Sequence, residues 1–311
     1  MDSQKDKILI TGSNGFVGES LCKLLLQEGA KMNKCHGHSY TEKLGTNDFL
    51  IDLCKDSDWS SALKGCKTVI HLASRVHVIR ENSKNPLEEF LKINLDGTVN
   101  LARQASELGI EKFIFLSSIG VNGPETYREI FDNDSVPRPY NPYTISKFEA
   151  EKALKKISKD SGMNLIIIRA PAIYGKNAPG NFKILEKLIM NGIPLPFRLV
   201  KNKRSFLHID NLTSFINLCL SFNFVGDETF LISDKSDLST EEIIRIIGKI
   251  CGKKPRIFPF PIFLLKALFQ IIGKKDLSQS LLGDLQINSD AHSNLNWRPP
   301  FKPKSILKNC E

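Results

Sequence analysis

Tyr143 and Lys147 stand four residues apart in "YTISK", a spacing that puts two side chains on one face of a helix, one turn from each other. A free tyrosine has a pKa near ~10 and is a poor acid or base at neutral pH. An ammonium one turn away stabilises the phenolate and lowers that pKa, which makes Tyr143 a candidate proton carrier. Ser118 closes the apolar run "KFIFLSS" (112–118). A hydroxyl there either caps a strand or hydrogen-bonds an oxygen that gains or loses a proton. A third feature handles charge rather than protons. In "ITGSNGFVGES" (10–20), Gly12, Gly15 and Gly18 follow the apolar run "KILIT" (7–11) in the spacing G-x-x-G-x-x-G. A strand turning sharply into a helix presents backbone N–H groups at the positive end of the helix dipole. Glycines there let a pyrophosphate approach without meeting a Cβ. A plain strand–turn–helix connection uses the same residues, so the surrounding elements must decide.

Short continuous apolar runs recur along the chain: 7–11, "DFLID" (48–52), "TVIHLA" (68–73), 112–118 and "NLIIIRA" (164–170). Such runs suit strands buried on both faces. Helical patterns lie between them at 16–28, 85–108 and 141–162, the last closed by Gly162. Strand and helix in alternation predict an α/β fold, a doubly wound parallel sheet of the Rossmann type. Ligands of such sheets bind outside the carboxyl ends of the strands, where the glycine turn lies. After residue 172 the rhythm changes, with Pro and Gly clustered in "YGKNAPGNF" and "NGIPLPF" and a helical, apolar tail from 234. The expected organisation is a dinucleotide-binding domain over 1–172, joined again by 203–233, and a smaller substrate-binding lid over 173–202 and 234–311.

Composition narrows the functional classes. The chain has 311 residues, an ordinary globular composition and a net charge of +9. The charge favours anionic partners, but Lys and Arg are interspersed with Asp and Glu, and no basic run alternates with aromatics. No nucleic-acid partner is expected; a phosphate-bearing small ligand accounts for the excess. The opening "MDSQKDK" has no apolar core of a signal peptide. The apolar stretch "IFPFPIFLLKALFQIIG" (257–273) is short for a membrane span and is broken by Pro259, Pro261 and Lys266. Its spacing fits the core of the lid, with contact to a membrane surface the other reading. The seven scattered cysteines form no C-x-x-C pair, so reduced thiols, a cytoplasmic location and no metal site are expected.

Seven stretches in order resemble the extended short-chain dehydrogenase/reductase family, in its nucleotide-sugar epimerase/dehydratase branch. They are the glycine turn 12–18, "VIHLA" (69–73), "NLDGTVNLARQA" (94–105), "FLSSIGVNG" (115–123), "YTISK" (143–147), "RAPAIYG" (169–175) and "RSFLHIDNL" (204–212). The resemblance spans nearly the whole chain. It implies that Tyr143 is the general acid/base for a sugar hydroxyl or ketone, that Ser118 orients that oxygen, and that Lys147 holds the nicotinamide ribose and tunes Tyr143. It implies that Gly12, Asn14, Gly15, Phe16, Val17 and Gly18 cradle the pyrophosphate of NAD(P). Asp52 and Leu53 contact the adenine, Leu72, Ala73 and Ser74 line the cofactor, and Pro171 packs near the nicotinamide. On the substrate side it implies Arg75, Ser118, Asn181 and Arg204, the last pairing its planar fork with the diphosphate of a UDP-sugar. Asn94 is read as tying backbone groups together. Helices 85–108 and 141–162 form a four-helix dimer interface in many relatives, so a homodimer is expected.

Two departures from the family pattern shape the functional reading. The segment "KMNKCHGHS" (31–39) carries Lys34, His36 and His38 and no acidic residue where an NAD-specific chain has one for the ribose. Basic groups tolerate the extra phosphate of NADP, which places His36 among the cofactor residues and favours NADP slightly. Ser118 is followed by Ile119, Gly120, Val121 and Asn122, without the carboxylates that run a 4,6-elimination, so a dehydratase is rejected. The leading expectation is a 4-keto-reductase of a UDP-4-keto-hexose or UDP-4-keto-N-acetylhexosamine in surface-polysaccharide synthesis. The alternative is a UDP-glucose or UDP-N-acetylglucosamine 4-epimerase with tightly bound NAD. A dinucleotide-sensing binding protein is the non-enzymatic reading, disfavoured because Ser118, Tyr143 and Lys147 are all present.

Overall fold

The computed structural model describes residues 6–37, 40–76, 84–127, 129–222, 225–289 and 295–308. The chain divides into two units, one of residues 1–121, 137–169 and 213–230, the other of residues 122–136, 170–212 and 231–311. The first is built on a seven-stranded sheet: β1 (Lys7–Thr11), β2 (Met32–His36), β3 (Asp48–Leu50), β4 (Cys66–His71), β5 (Lys112–Ser118), β6 (Asn164–Ala170) and β9 (Asp227–Leu231). Their spatial order is β3-β2-β1-β4-β5-β6-β9, and the registered pairs from β3 to β5 are parallel. β1 therefore has β2 on one side and β4 on the other. Strand order reverses there, and doubly wound sheets open their ligand crevice at such a point.

The strands are apolar because both faces are covered. Leu9, Val69, Phe113, Leu165 and Ile167 join Leu101, Ala102, Ala105, Ala150 and Leu154 of the helices in one buried core. The helices are α1 (Phe16–Gln27), α2 (Ser60–Leu63), α3 (Pro86–Leu91), α4 (Thr98–Glu107) and α5 (Pro142–Ser161). The helix expected over 85–108 is interrupted: Lys92–Gly97 is a turn of π-helix between α3 and α4. Such an insertion turns extra residues inward and recurs at functional sites. Here it buries Asn94.

The second unit contains a two-stranded parallel sheet, β7 (Ile173–Tyr174) with β8 (Leu207–His208). It also has α6 (Asn181–Met190), α8 (Thr240–Ile250), α9 (Ile262–Ile271), α10 (Lys275–Leu282) and α11 (Pro303–Lys308), while α7 (Ile209–Ser221) straddles the division. Residues 122–136 belong to this unit through backbone bonds. Thr126 N–H donates to Asp284 O at 2.9 Å, and Phe131 bonds both Gln286 O and Asn288 N. Its core packs Ile243, Ile244, Ile246 and Ile247 of α8 against Tyr174, Leu265 and Phe269. Among the described residues no helix is long and apolar enough to cross a membrane.

A buried carboxylate ties β7, β8 and α7 together. Asp234 Oδ2 accepts from Tyr174 Oη at 2.8 Å, while Oδ1 accepts from His208 N at 2.8 Å and Asn211 Nδ2 at 2.6 Å. Burial raises the Asp234 carboxyl from 3.8 to about 6, against the lowering effect of those bonds. The folded form thus keeps this proton when the unfolded chain has lost it, so stability falls as pH rises from about 4 to about 6. The full loss is about 3 kcal/mol. Asp234→Asn keeps the acceptor oxygen and the shape, so thermal melts at pH 4.5 and 7.5 should show that slope flattened in the variant.

Candidate functional site

α5 begins with a reciprocal cap. Asn141 Oδ1 accepts from Thr144 N at 2.8 Å, and Thr144 Oγ1 accepts from Asn141 N at 3.1 Å. Pro142 follows at the first helical position and Gly162 ends the helix at φ 77°. This fixes Tyr143 in the first turn and Lys147 one turn later. Lys147 is 2% exposed, and its Nζ rests 4.0 Å from the centre of the Phe115 ring on β5. An ammonium over an aromatic face gains quadrupole attraction, but it has lost most of its water. Burial pushes the Lys147 ammonium down to about 7, with Glu151 pulling it back up.

Glu151, four residues further on the same helix, does not answer Lys147 alone. Arg169 of β6 holds its carboxylate in a fork, Nη2 to Oε2 at 2.6 Å and Nε to Oε1 at 3.1 Å, and Ser117 Oγ donates to Oε1. All three side chains are buried. Two cations thus face one anion in the interior, and the guanidinium, which does not deprotonate, takes it. Lys147 is the group that can give up charge.

Tyr143 packs edge-on against Phe90, ring centres 6.2 Å apart, and Arg75 sits 5.4 Å from the centre of that same Phe90 ring. Burial raises the Tyr143 phenol from 10 to about 12. The expected depression of this pKa by Lys147 is not found in the chain alone. The lysine is itself poorly charged near neutrality, and the loss of water around the phenol outweighs it. Ser118, at the end of β5, accepts from Gly120 N at 3.1 Å through Oγ.

The turn after β1 is tightly closed. Gly12 has φ 67°, and a Cβ there would lie 2.8 Å from Ala73 N. A Cβ on Gly18 would lie 2.2 Å from Gly12 O. α1 starts at Phe16 behind Gly15, whose position offers no side-chain cap to the first-turn amides, Val17 among them; Asn14 beside them is exposed. That is the donor set of an anion cradle, and the residues present fit the pyrophosphate of a dinucleotide. Leu72, Ala73 and Ser74 follow β4 next to this turn: Leu72 N–H donates to Thr11 O and Ala73 N–H to Thr11 Oγ1, both at 3.3 Å. Asn94 carries the loop onward, with Oδ1 accepting from Arg75 N at 2.7 Å and Nδ2 donating to Arg75 O and Ser146 Oγ. It ties backbone groups, as read from the sequence.

The end of β2 is less basic than its sequence. Lys34 Nζ pairs with Asp48 Oδ1 of β3 at 2.8 Å. His36 is buried, stacked on Tyr40 at 4.0 Å, with Nδ1 3.1 Å from Ser13 Oγ. His38 lies outside the described residues. Asp52 is exposed, with Oδ1 beside Gly37, and Leu53 packs on the first core.

Pro171, Asn181 and Arg204 belong to the second unit. Asn181 opens α6 behind Gly180 at φ 64°. Arg204 is buried, and its Nη1 donates to Gln279 O at 3.2 Å and Gly283 O at 3.0 Å, carbonyls at the end of α10. A cation at that negative helix end stabilises it.

Sequence reasoning missed Glu151, Arg169 and Ser117, and also His71, whose ring bonds Thr11 Oγ1 at 2.7 Å and Thr98 Oγ1 at 2.9 Å. Burial, then the nearby Lys147, push His71 down to about 3, so it is neutral. Two signals were present: an acid one turn beyond Lys147, and an arginine inside the otherwise apolar run "NLIIIRA".

The profile of the NAD dependent epimerase/dehydratase family matches residues 8–232. The chain is 37% identical over 297 residues to UDP-glucose 4-epimerase of Vibrio cholerae, covering 94% of this chain and 90% of that one. It is 27% identical to N-acetyl-alpha-D-glucosaminyl-diphospho-ditrans,octacis-undecaprenol 4-epimerase of Escherichia coli O157:H7, covering 87% and 82%. Among solved structures, the UDP-glucose 4-epimerase of Thermus thermophilus in complex with NAD superposes with a TM-score of 0.74 at 20% identity, covering 96% of each chain.

The ion pair beneath the site has a measurable consequence. Glu151→Gln leaves Arg169 buried without its anion and should cost about 3–5 kcal/mol in chemical denaturation, whereas Glu151→Leu with Arg169→Met should recover most of that loss.

Proposed function

The chain belongs to the NAD dependent epimerase/dehydratase family, and on that premise we propose that it is a UDP-hexose 4-epimerase that keeps NAD bound through the cycle. The carrying observation is the likeness to the Vibrio cholerae epimerase across 94% of the chain. Hydride chemistry at C4 needs a proton carrier, an orienting hydroxyl and a dinucleotide cradle, and the first unit supplies candidates for each.

Bound in the cradle from Gly12 to Gly18, NAD supplies the hydride acceptor and donor. The chain supplies the rest. Tyr143 Oη takes the proton of the C4 hydroxyl and later returns it, and Ser118 Oγ orients that oxygen. The phenol, raised to about 12, holds its proton, which is then available to the C4 oxygen in the return step. As a base it needs positive charge beside it, which Lys147, pushed down to about 7, supplies only in part near neutrality. Lys147 is also proposed to hydrogen-bond the ribose. Asp52, Leu53, Leu72, Ala73, Ser74 and Pro171 are proposed to line the cofactor, and Arg75, Asn181 and Arg204 to meet the sugar nucleotide. The pairing of Lys34 with Asp48 favours NAD over NADP, since the lysine is already neutralised. The 4-keto-reductase remains the second reading, since it needs the same Ser118, Tyr143 and Lys147 and differs only in consuming reduced cofactor.

The two readings separate in one assay. The purified protein should release about one NAD per chain on denaturation and interconvert UDP-glucose and UDP-galactose, or their N-acetylamino counterparts, without added cofactor. Stoichiometric oxidation of added NADPH by a UDP-4-keto-sugar, with no interconversion, would establish the reductase instead. Tyr143→Phe should lower kcat by at least about 10²-fold. Gly18→Ala should release the dinucleotide, because its Cβ would lie 2.2 Å from the Gly12 carbonyl.

A further inference from the structure

The apolar stretch near the C-terminus was expected to fill a core, and only one side of it does. On α9, Leu265 and Phe269 are buried in the second unit's core. At 100° per residue the opposite side carries Phe263, Leu264, Ala267, Leu268 and Ile271 in one stripe about 140° wide. All five are exposed, Phe263 by 71% and Ile271 by 82%, and Ile272, just past the helix, by 54%. A scattered exposed leucine is ordinary on a monomer, but a contiguous apolar helix face is not.

The charges of the segment that carries it are nearly all of one sign, with Asp276 the first acid after it. From Lys253 to Lys275 the sequence contains Lys253, Lys254, Arg256, Lys266, Lys274 and Lys275 and no Asp or Glu. All six cations are exposed. Gln270 borders the apolar stripe with Lys266 beside it, and Lys274 and Lys275 follow the end of α9. A second copy of this chain would bring an equally cationic rim onto the face, and like charges would oppose each other. A surface of anionic lipid offers acyl chains to the stripe and phosphate to the rim. α9 is about 15 Å long, half the hydrocarbon thickness of roughly 30 Å, so it can lie in the interface but not cross it.

We propose that α9 and its flanking lysines form a peripheral docking surface for an anionic membrane, with Phe263, Leu264, Leu268 and Ile271 entering the headgroup boundary. The inference stands apart from the reaction proposed above. The test is flotation of the full chain with vesicles of phosphatidylglycerol and phosphatidylcholine (1:3), or phosphatidylcholine alone, at 0.05 M and 0.5 M salt. The protein should float with the anionic vesicles at low salt and detach with added salt or in their neutral counterparts. Lys274→Glu with Lys275→Glu should weaken binding about fivefold or more for each lysine. Phe263→Glu with Ile271→Glu should lower the bound fraction at least about tenfold while the thermal melt stays as in the unmodified chain, since both side chains point away from the core. No flotation with anionic vesicles, or undiminished binding by the Phe263/Ile271 variant, would overturn the proposal. So would sedimentation showing that this variant converts a dimer to monomers, which would make the face a contact between copies.

Discussion

The candidate site rests on a cation that the fold buries without giving it, among the described residues, a counter-ion of its own. Lys147 lies under β5 against Phe115, and the nearest carboxylate on its helix, Glu151, is held by Arg169. Desolvating an isolated ammonium is unfavourable, and the response open to lysine is to lose its proton. The interior then holds one guanidinium, one carboxylate, an amine that is only partly protonated near neutrality, and in His71 a neutral imidazole held by two threonine hydroxyls. Tyr143 answers the same environment by keeping its proton. The chain alone therefore supplies only part of a positive charge one helical turn from Tyr143, and the rest must come from what binds there.

The sheet explains why these groups meet in one place. The chain leaves β1 toward β2 on one side and β4 toward β5 on the other, the point where strand order reverses, and the loops after β1 and β4, Gly12–Gly18 and Leu72–Ser74, touch through Gly12 and Ala73. β5, next in order, delivers Ser118 and, on its buried side, Phe115 and Ser117. α5 then returns along β5 with Tyr143, Lys147 and Glu151 at successive turns. The π-helical turn before α4 buries Asn94, whose amide pins the loop carrying Arg75 to α5 through Ser146. A straight helix over 85–108 would shift that amide by a residue and lose the loop.

Elements with one dominant local signal were legible in the sequence. "KFIFLSS" and "NLIIIRA" are β5 and β6 residue for residue, and the Asn141–Pro142 start and Gly162 stop frame α5. β9, "DETFL", escaped because two acids open it and only its last residues are buried. The π-turn left no mark, since Lys92–Gly97 continues the helical pattern of its neighbours. At the site, residue types and spacing identified Ser118, Tyr143 and Lys147 as chemically able, but the direction of the tyrosine shift came out reversed. Spacing reports that Lys147 is one turn away. It does not report that Phe115 lies beneath the ammonium or that Arg169 has taken the carboxylate. The same limit applied to Lys34, whose partner Asp48 arrives from a different strand. It applied again to "IFPFPIFLLKALFQIIG", where composition cannot tell a helix buried all round from one buried on a single side.

The most direct test of this account is the titration of Lys147 itself, followed through its ¹³Cε chemical shift in protein freed of nucleotide. The midpoint should lie near 7, well below the ordinary 10.5, and higher in Arg169→Met, where Glu151 is released to the lysine. A midpoint at 10.5 in the unmodified chain would show that the ammonium keeps its water and its charge, and that burial does not govern this site.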